Sequence, residues 1–153
     1  MKRLVVNTLQ NPPAGSDWSL TPSNSEWSCI LNITAQLDTS ATVANRTLSI
    51  ELLDADDNDI FQEISAFNQP ASNNITYQLS SIVPSSINNN GSIAGLVTLP
   101  IRPFWMPPRW RFRSITYQIE AGDQWSNIVA TYYTTETQEE TLAIAEALGI
   151  SDT

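Results

Sequence analysis

The chain has 153 residues, seven Lys and Arg against sixteen Asp and Glu, no His and one cysteine, Cys29, for a net charge of −9. Without His, imidazole catalysis and His-ligated metals are excluded; with one thiol, an intramolecular disulfide, a thiolate zinc cluster and a CxxC redox site are excluded as well. Charged residues make up only 15%, Ser, Thr, Asn and Gln taking their place, and this mixture with nine Pro and five Gly favours short strands and turns over helices.

The length suits a single domain with one core. The acidic balance argues against free nucleic acid as a partner. The opening Met1-Lys2-Arg3-Leu4-Val5-Val6 is too short an apolar run for a secretory signal, and no stretch is long enough for a membrane-spanning helix, so no membrane partner is expected. The sequons at Asn32, Asn45, Asn74 and Asn90 then read as accidents of an Asn-, Ser- and Thr-rich chain.

In chain order, residues 4–9 predict a first strand and 11–26 a loop with two Pro-centred turns around Trp18. Residues 27–37 alternate strictly, with Trp27, Cys29, Leu31, Ile33, Ala35 and Leu37 on one side, and predict a strand with a single buried face that holds Cys29. Residues 46–53 and 60–66 predict a hairpin with the acidic tip Asp54 to Asp59. Residues 67–73 predict a loop. A strand follows over 74–83 with Ile75, Tyr77 and Leu79 on one face, then a polar turn over 84–92 and a strand over 93–99. The four prolines of 100–109 forbid strand interior or helix. Residues 110–120 predict a strand whose apolar row switches from Trp110 and Phe112 to Ile115, Tyr117 and Ile119, the signature of a bulge. A turn at 121–124 and a last strand over 125–135 complete the β region.

The tail differs. Thr137-Gln138-Glu139-Glu140 is a capping box, Leu142, Ala145 and Leu148 recur at helical spacing, and Gly149 supplies a stop, predicting a helix over 138–148. The reading is an all-β antiparallel sandwich of about eight strands, jelly-roll-like or Ig-like, over 1–135, with an acidic C-terminal helix and tail over 136–153.

Little here predicts chemistry. Asp54-x-Asp56-x-Asn58 opens like a calcium loop, but Asp59 stands where glycine is needed and Ser65 where a bidentate Glu is needed. Asp54, Asp56, Asp57 and Asp59 are therefore weak metal candidates at best, and a solvated turn is the plainer reading. With no activating base for a serine, no phosphate loop and no carboxylate pair brought together, neither an enzyme nor a cofactor is expected. Asp123 reads as a turn former. The segment that points to function is the proline-stiffened stretch holding Arg102, Phe104, Trp105, Met106, Arg109, Trp110, Arg111 and Arg113. Trp and Arg dominate interface hot spots, and a stiff loop loses less entropy on docking. Glu136, Glu139 and Glu140 offer an acidic complement, either packed on their own domain or reaching a neighbouring copy.

Three stretches, Asn11-Pro-Pro-Ala-Gly-Ser-Asp-Trp18, Thr39-Ser-Ala-Thr-Val-Ala-Asn-Arg46 and Ala121-Gly-Asp-Gln-Trp-Ser126, resemble small structural proteins of tailed bacteriophages over roughly residues 5–133. That resemblance implies a virion component made in the host cytoplasm, most simply a decoration or cement protein bound as a homotrimer to the major capsid protein on the shell surface. A neck, tail or fibre component is the alternative, including a carbohydrate-binding module using Trp18, Trp105 or Trp125.

Overall fold

The computed structural model describes residues 2–81, 95–101 and 105–149. Among them ten strands and one helix form a two-sheet sandwich. The strands are β1 (Arg3–Thr8), β2 (Ser19–Leu20), β3 (Trp27–Asp38), β4 (Arg46–Leu53), β5 (Asp59–Gln69), β6 (Asn74–Ser80), β7 (Leu96–Pro100), β8 (Trp105–Met106), β9 (Arg111–Tyr117) and β10 (Gln124–Thr135); the helix is α1 (Gln138–Ala147). One sheet runs β1-β10-β3-β6-β7, with β8 also pairing β3, and the other runs β2-β9-β4-β5. Pairing is antiparallel except between β6 and β7.

Two nested pairings organise the sandwich: β3 with β10 in one sheet, β4 with β9 in the other. Each β-ribbon thus passes from sheet to sheet and finds its partner near the far end of the chain, as in a jelly roll, while β6 returns to lie beside β3 in a Greek-key path. The core between the sheets holds Trp18, Ile33, Leu37, Leu48, Ile50, Leu52, Tyr77, Leu79, Phe112 and Trp125, among others. Its largest members pack through Trp125, edge-on to Trp18 at 6.3 Å and tilted against Tyr77 at 5.6 Å.

Three expectations need correction. The alternation of 27–37 does not lie on one face. The register of β3 against β10 slips between Thr131 and Tyr132; Ile33, Ala35 and Leu37 stay in the core with Ile30, whereas Cys29 belongs to a separate cluster with Ile144 and Ala145. A bulge of this kind turns successive residues to opposite sides, and here both sides are covered, so Cys29 and Ile30 are both fully buried.

The bulge expected in 110–120 is absent. β9 pairs with β4 without a break from Arg111 to Tyr117. Phe112, Ser114 and Thr116 face in, and Ile115 and Tyr117 are exposed. Polar residues win the inner face because Asp17 satisfies them: its carboxylate accepts from Ser114 Oγ at 2.8 Å, Thr116 N–H at 2.9 Å, Thr116 Oγ1 at 2.6 Å and the Trp125 indole at 3.1 Å. The third correction concerns boundaries. β5 continues to Gln69 through residues expected as loop, and two-residue strands stand inside both proline-rich segments. The polar turn at 84–92 lies outside the described residues.

Candidate functional site

Trp27, Trp105 and Trp110 gather at one end of the sandwich. β8 alternates against β3, Cys29 opposite Trp105 and Ser28 opposite Met106. Trp105 therefore faces outward and Met106 inward. Trp105 meets Trp27 at 6.0 Å and Trp110 at 6.1 Å between ring centroids, both tilted, within the range where aromatic pairs attract. All three indoles are half-buried. The turn carrying them is pinned: Arg109 N–H donates to Ser23 O at 2.8 Å and Trp110 N–H to Pro107 O at 3.4 Å, while Ser23 Oγ accepts the Glu26 N–H at 2.9 Å just before Trp27. Arg109 takes a left-handed φ of 71°, a conformation a long side chain rarely adopts. Its side chain is exposed and has no ion-pair partner among the described residues.

The other expected contact residues divide. Met106 is fully buried in the core, so it cannot be a contact residue; it is the inward half of the β8 alternation. Arg111 is half-buried and pairs with Asp57 at 3.0 Å. Arg113 pairs with Glu51 at 2.9 Å. Arg102 and Phe104 lie outside the described residues. Trp27 belongs to the rim although its alternation predicts the core face; a β3 bulge is the feature that turns it out, and no local sequence signal marks it.

The helix flanks the same rim. Thr137 caps it, its Oγ1 accepting the Glu140 N–H at 3.2 Å. Its buried residues are Thr141, Ile144 and Ala145 rather than the expected Leu142, Ala145 and Leu148, because Thr141 Oγ1 bonds Thr135 Oγ1 at 2.6 Å and so turns that face to β10. Leu142 and Leu148 are exposed. Ile144 and Ala145 cover Cys29, with Leu31, Trp105 and Tyr133 packed around them. The helix thus docks on its own sheet, with Glu136, Glu139 and Glu146 exposed and Glu140 half-buried. The rim is bordered by acid on the helix side and by Arg109 on the other. Burial pushes the Cys29 thiol up to about 12, which makes it a packing residue with almost no thiolate at neutral pH.

The acidic tip of the β4–β5 hairpin closes on itself. Asp54 accepts from the Asp56 and Asn58 N–H groups, both at 2.9 Å, and from the Asn58 amide at 3.1 Å; the Asn58 bonds hold its carboxyl below the usual range. Asp57 is committed to Arg111, and among the described residues no three acidic, Cys or His side chains converge as metal ligands. Asp54, Asp56 and Asp57 lie in the turn between β4 and β5, and Asp59 opens β5. No helix among the described residues is long and apolar enough to cross a membrane.

The opposite end of β3 carries a lock. Arg46 and Asp123 are fully buried and bonded twice, Nε to Oδ2 at 2.9 Å and Nη2 to Oδ1 at 3.0 Å. Asp123 also accepts the Ser40 and Glu120 N–H groups at 2.8 Å, and its carbonyl accepts the Gly15 N–H at 2.7 Å. Asp123 is a turn former as expected, but one with a buried cation. Asp17, Arg46, Asp123 and Trp125 come from the stretches 11–18, 39–46 and 121–126, so those stretches converge on a structural joint remote from the rim. Trp18 and Trp125 are interior, which removes them as sugar-binding platforms.

No protein-family model matches the chain, and no curated protein matches it. Among solved structures it is similar to a chain of "Structure of infectious bursal disease virus Gx strain", at 13% identity and a TM-score of 0.33, over 90% of this chain and 34% of that one. This chain spans about a third of that viral chain, and at that TM-score neither topology nor role rests on the likeness.

Proposed function

We propose that this chain is a structural virion component that joins neighbouring shell subunits by non-covalent contact, with the Trp27–Trp105–Trp110 rim and Arg109 as its anchor. The observation that carries the reading is the rim: two half-exposed indoles, Trp27 and Trp110, packed on a third, Trp105, beside an exposed guanidinium with no ion-pair partner among the described residues, on a turn pinned to the body of the sandwich. Anchors of this kind, rigid before docking and rich in Trp and Arg, dominate interface energies. The resemblance of residues 11–18, 39–46 and 121–126 to phage structural proteins supports the finer form, a decoration or cement protein, trimeric on the capsid surface with the major capsid protein as partner. Repetition by symmetry then adds many modest contacts.

The first test is copy number in purified particles, by quantitative mass spectrometry against the major capsid protein. A number comparable with that protein supports a shell role. A much smaller number moves the chain to the neck, tail or fibres, with Trp105 as the remaining sugar platform for a glycan array to probe. Absence from the particle overturns the proposal. Trp105→Ala and Arg109→Ala should each weaken attachment by about 2 kcal/mol, roughly 30-fold, without loss of fold. Attachment equal to wild type removes the rim as anchor.

A further inference from the structure

The outer face of the larger sheet is the second surface of interest. Ile33, Ala35 and Leu37 of β3 and Ile75, Tyr77 and Leu79 of β6 point into the core. The alternate residues of both strands therefore point out. On β3 they are Asn32, Thr34, Gln36 and Asp38; beside them on β6 stand Asn74, Thr76 and Gln78. All are half-buried or exposed, and α1 packs farther along β3, at Cys29. In a chain of net charge −9, Asp38 is the one charged residue of β3, β6, β7 and β10.

These polar groups are ordered in advance. The Asn127 amide on β10 donates to Gln36 Oε1 at 2.7 Å, Gln36 Nε2 donates to Asn74 Oδ1 at 2.8 Å, and the Asn74 amide donates to the Asp38 carboxylate. A carboxylate only accepts, so Asp38 fixes which way round Asn74 sits, Asn74 fixes Gln36, and Gln36 fixes Asn127. Asn127 holds a left-handed φ of 50° at the register break of β10, a conformation Asn tolerates. A second bond, Gln78 Nε2 to Asn32 Oδ1 at 3.3 Å, ties the next pair. An amide can make four hydrogen bonds, and each here makes one or two. Asp38 Oδ2, Gln78 Oε1, Asn127 Oδ1 and the Thr34 and Thr76 hydroxyls have no side-chain partner among the described residues.

We propose that this amide ladder binds a neutral polysaccharide laid along β3 and β6. Hydrogen-bond chemistry selects the occupant. A sugar hydroxyl both donates and accepts, and the ladder offers both functions at fixed orientations. They recur on a grid of about 4.8 Å across the strands and about 7 Å along them, a repeat that a polymer with hydroxyls on every ring can match. Amides already held in place also lose little side-chain entropy on docking. Other partners lack their handle here. Protein interfaces centre on aromatic, Met and Arg anchors in a desolvated core, and the ladder contains none. Nucleic acid and anionic lipid surfaces need Lys or Arg, and β3, β6, β7 and β10 hold neither. The ladder is a separate surface from the rim, so the proposal stands whether or not the chain is a virion component.

The experiment measures binding of the full chain to immobilised dextran, mannan, galactan and xylan, with heparin as the charged control. Binding to at least one neutral polymer is expected, little changed by added salt, and none to heparin. Gln36→Ala and Gln78→Ala should each weaken it about ten-fold with the Tm little changed. Gln36→Met, which keeps the length of the side chain but not its hydrogen bonds, should do the same. Gln62→Ala removes an exposed amide from the outer face of the other sheet, where Gln62 bonds Ser49 Oγ at 2.9 Å, and should leave binding unchanged. So should Trp105→Ala, which separates the ladder from the rim. No binding to any of the neutral polymers, equal binding to heparin, or equal weakening by Gln62→Ala would overturn the proposal. Loss of binding in Trp105→Ala with Gln36→Ala and Gln78→Ala unaffected would overturn it too, by assigning the sugar to the rim.

Discussion

Arg46 and Asp123 sit fully buried with each charge answered by the other and with further partners around them: Arg46 Nη1 donates to Ala44 O at 2.9 Å, and Asp123 takes the two loop N–H groups. Burial alone would raise the Asp123 carboxyl. The Arg46 guanidinium, with the Glu120 and Ser40 N–H groups, outweighs that and holds it below the usual carboxylate range. Removing one partner strands the other charge, so Asp123→Asn or Arg46→Met should cost about 3–5 kcal/mol in denaturant titration. The sign with pH follows from linkage. A carboxyl depressed in the folded state contributes stability that is present above its unfolded value, about 4, and lost as pH falls through the folded value. Wild-type stability should therefore fall more steeply below pH about 4 than that of Asp123→Asn; equal slopes would assign the acid transition to other groups. At this scale the sequence is half legible. Asp123 reads as a turn former from Ala-Gly-Asp-Gln, but its cation lies 77 residues away, and nothing local marks Arg46 as buried. Asp17 is hidden for the same reason: its four donors lie about a hundred residues on.

The helix shows how far an element can be read. Its start is written in Thr137 and Glu140 and its end near Gly149, and both are where the capping rules put them. Its buried face is not, because Thr135 on β10 draws Thr141 inward and leaves Leu142 outside. This docking helps to cover Cys29, so lifting of α1 should open its thiol to solvent. Thr137→Ala removes the cap at a cost of about 1 kcal/mol to α1 alone. A modification that proceeds through local opening should then speed up about five-fold, read as the rate of Cys29 labelling by a thiol reagent, with little change in the Tm of the sandwich. An unchanged rate would mean Cys29 is exposed by opening of β3 and β8 instead. The β9 strand makes the same point from the other side. Ile115 and Tyr117 point to solvent while Ser114 and Thr116 turn inward beside Phe112 because Asp17 supplies acceptors there, a choice no periodicity within 110–120 can express.

For the whole molecule, fold class was legible because it depends on composition: few charges, many Ser, Thr and Asn, Pro-marked turns and period-two runs leave an antiparallel sandwich as the way to bury one core. Strand order was not, because β10 lies between β1 and β3, so the chain's two ends are married across some 125 residues. The stretches 11–18, 39–46 and 121–126, scattered in sequence, are one joint in space for this reason. The same topology dictates how the molecule must fold. Trp125, Ile128, Ala130 and Tyr132 of β10 all belong to the core, and β10 offers both edges to partners, so neither β1 nor β3 is completed until the chain is present to Thr135. A fragment ending at Asp123 should show no cooperative unfolding transition. The intact chain should refold in milliseconds to seconds, the range of all-β domains dominated by non-local pairing, with the burial of Trp18 against Trp125 as a fluorescence signal. A folded fragment, or microsecond refolding, would mean that β3 to β9 form a self-sufficient unit to which β1 and β10 are added late.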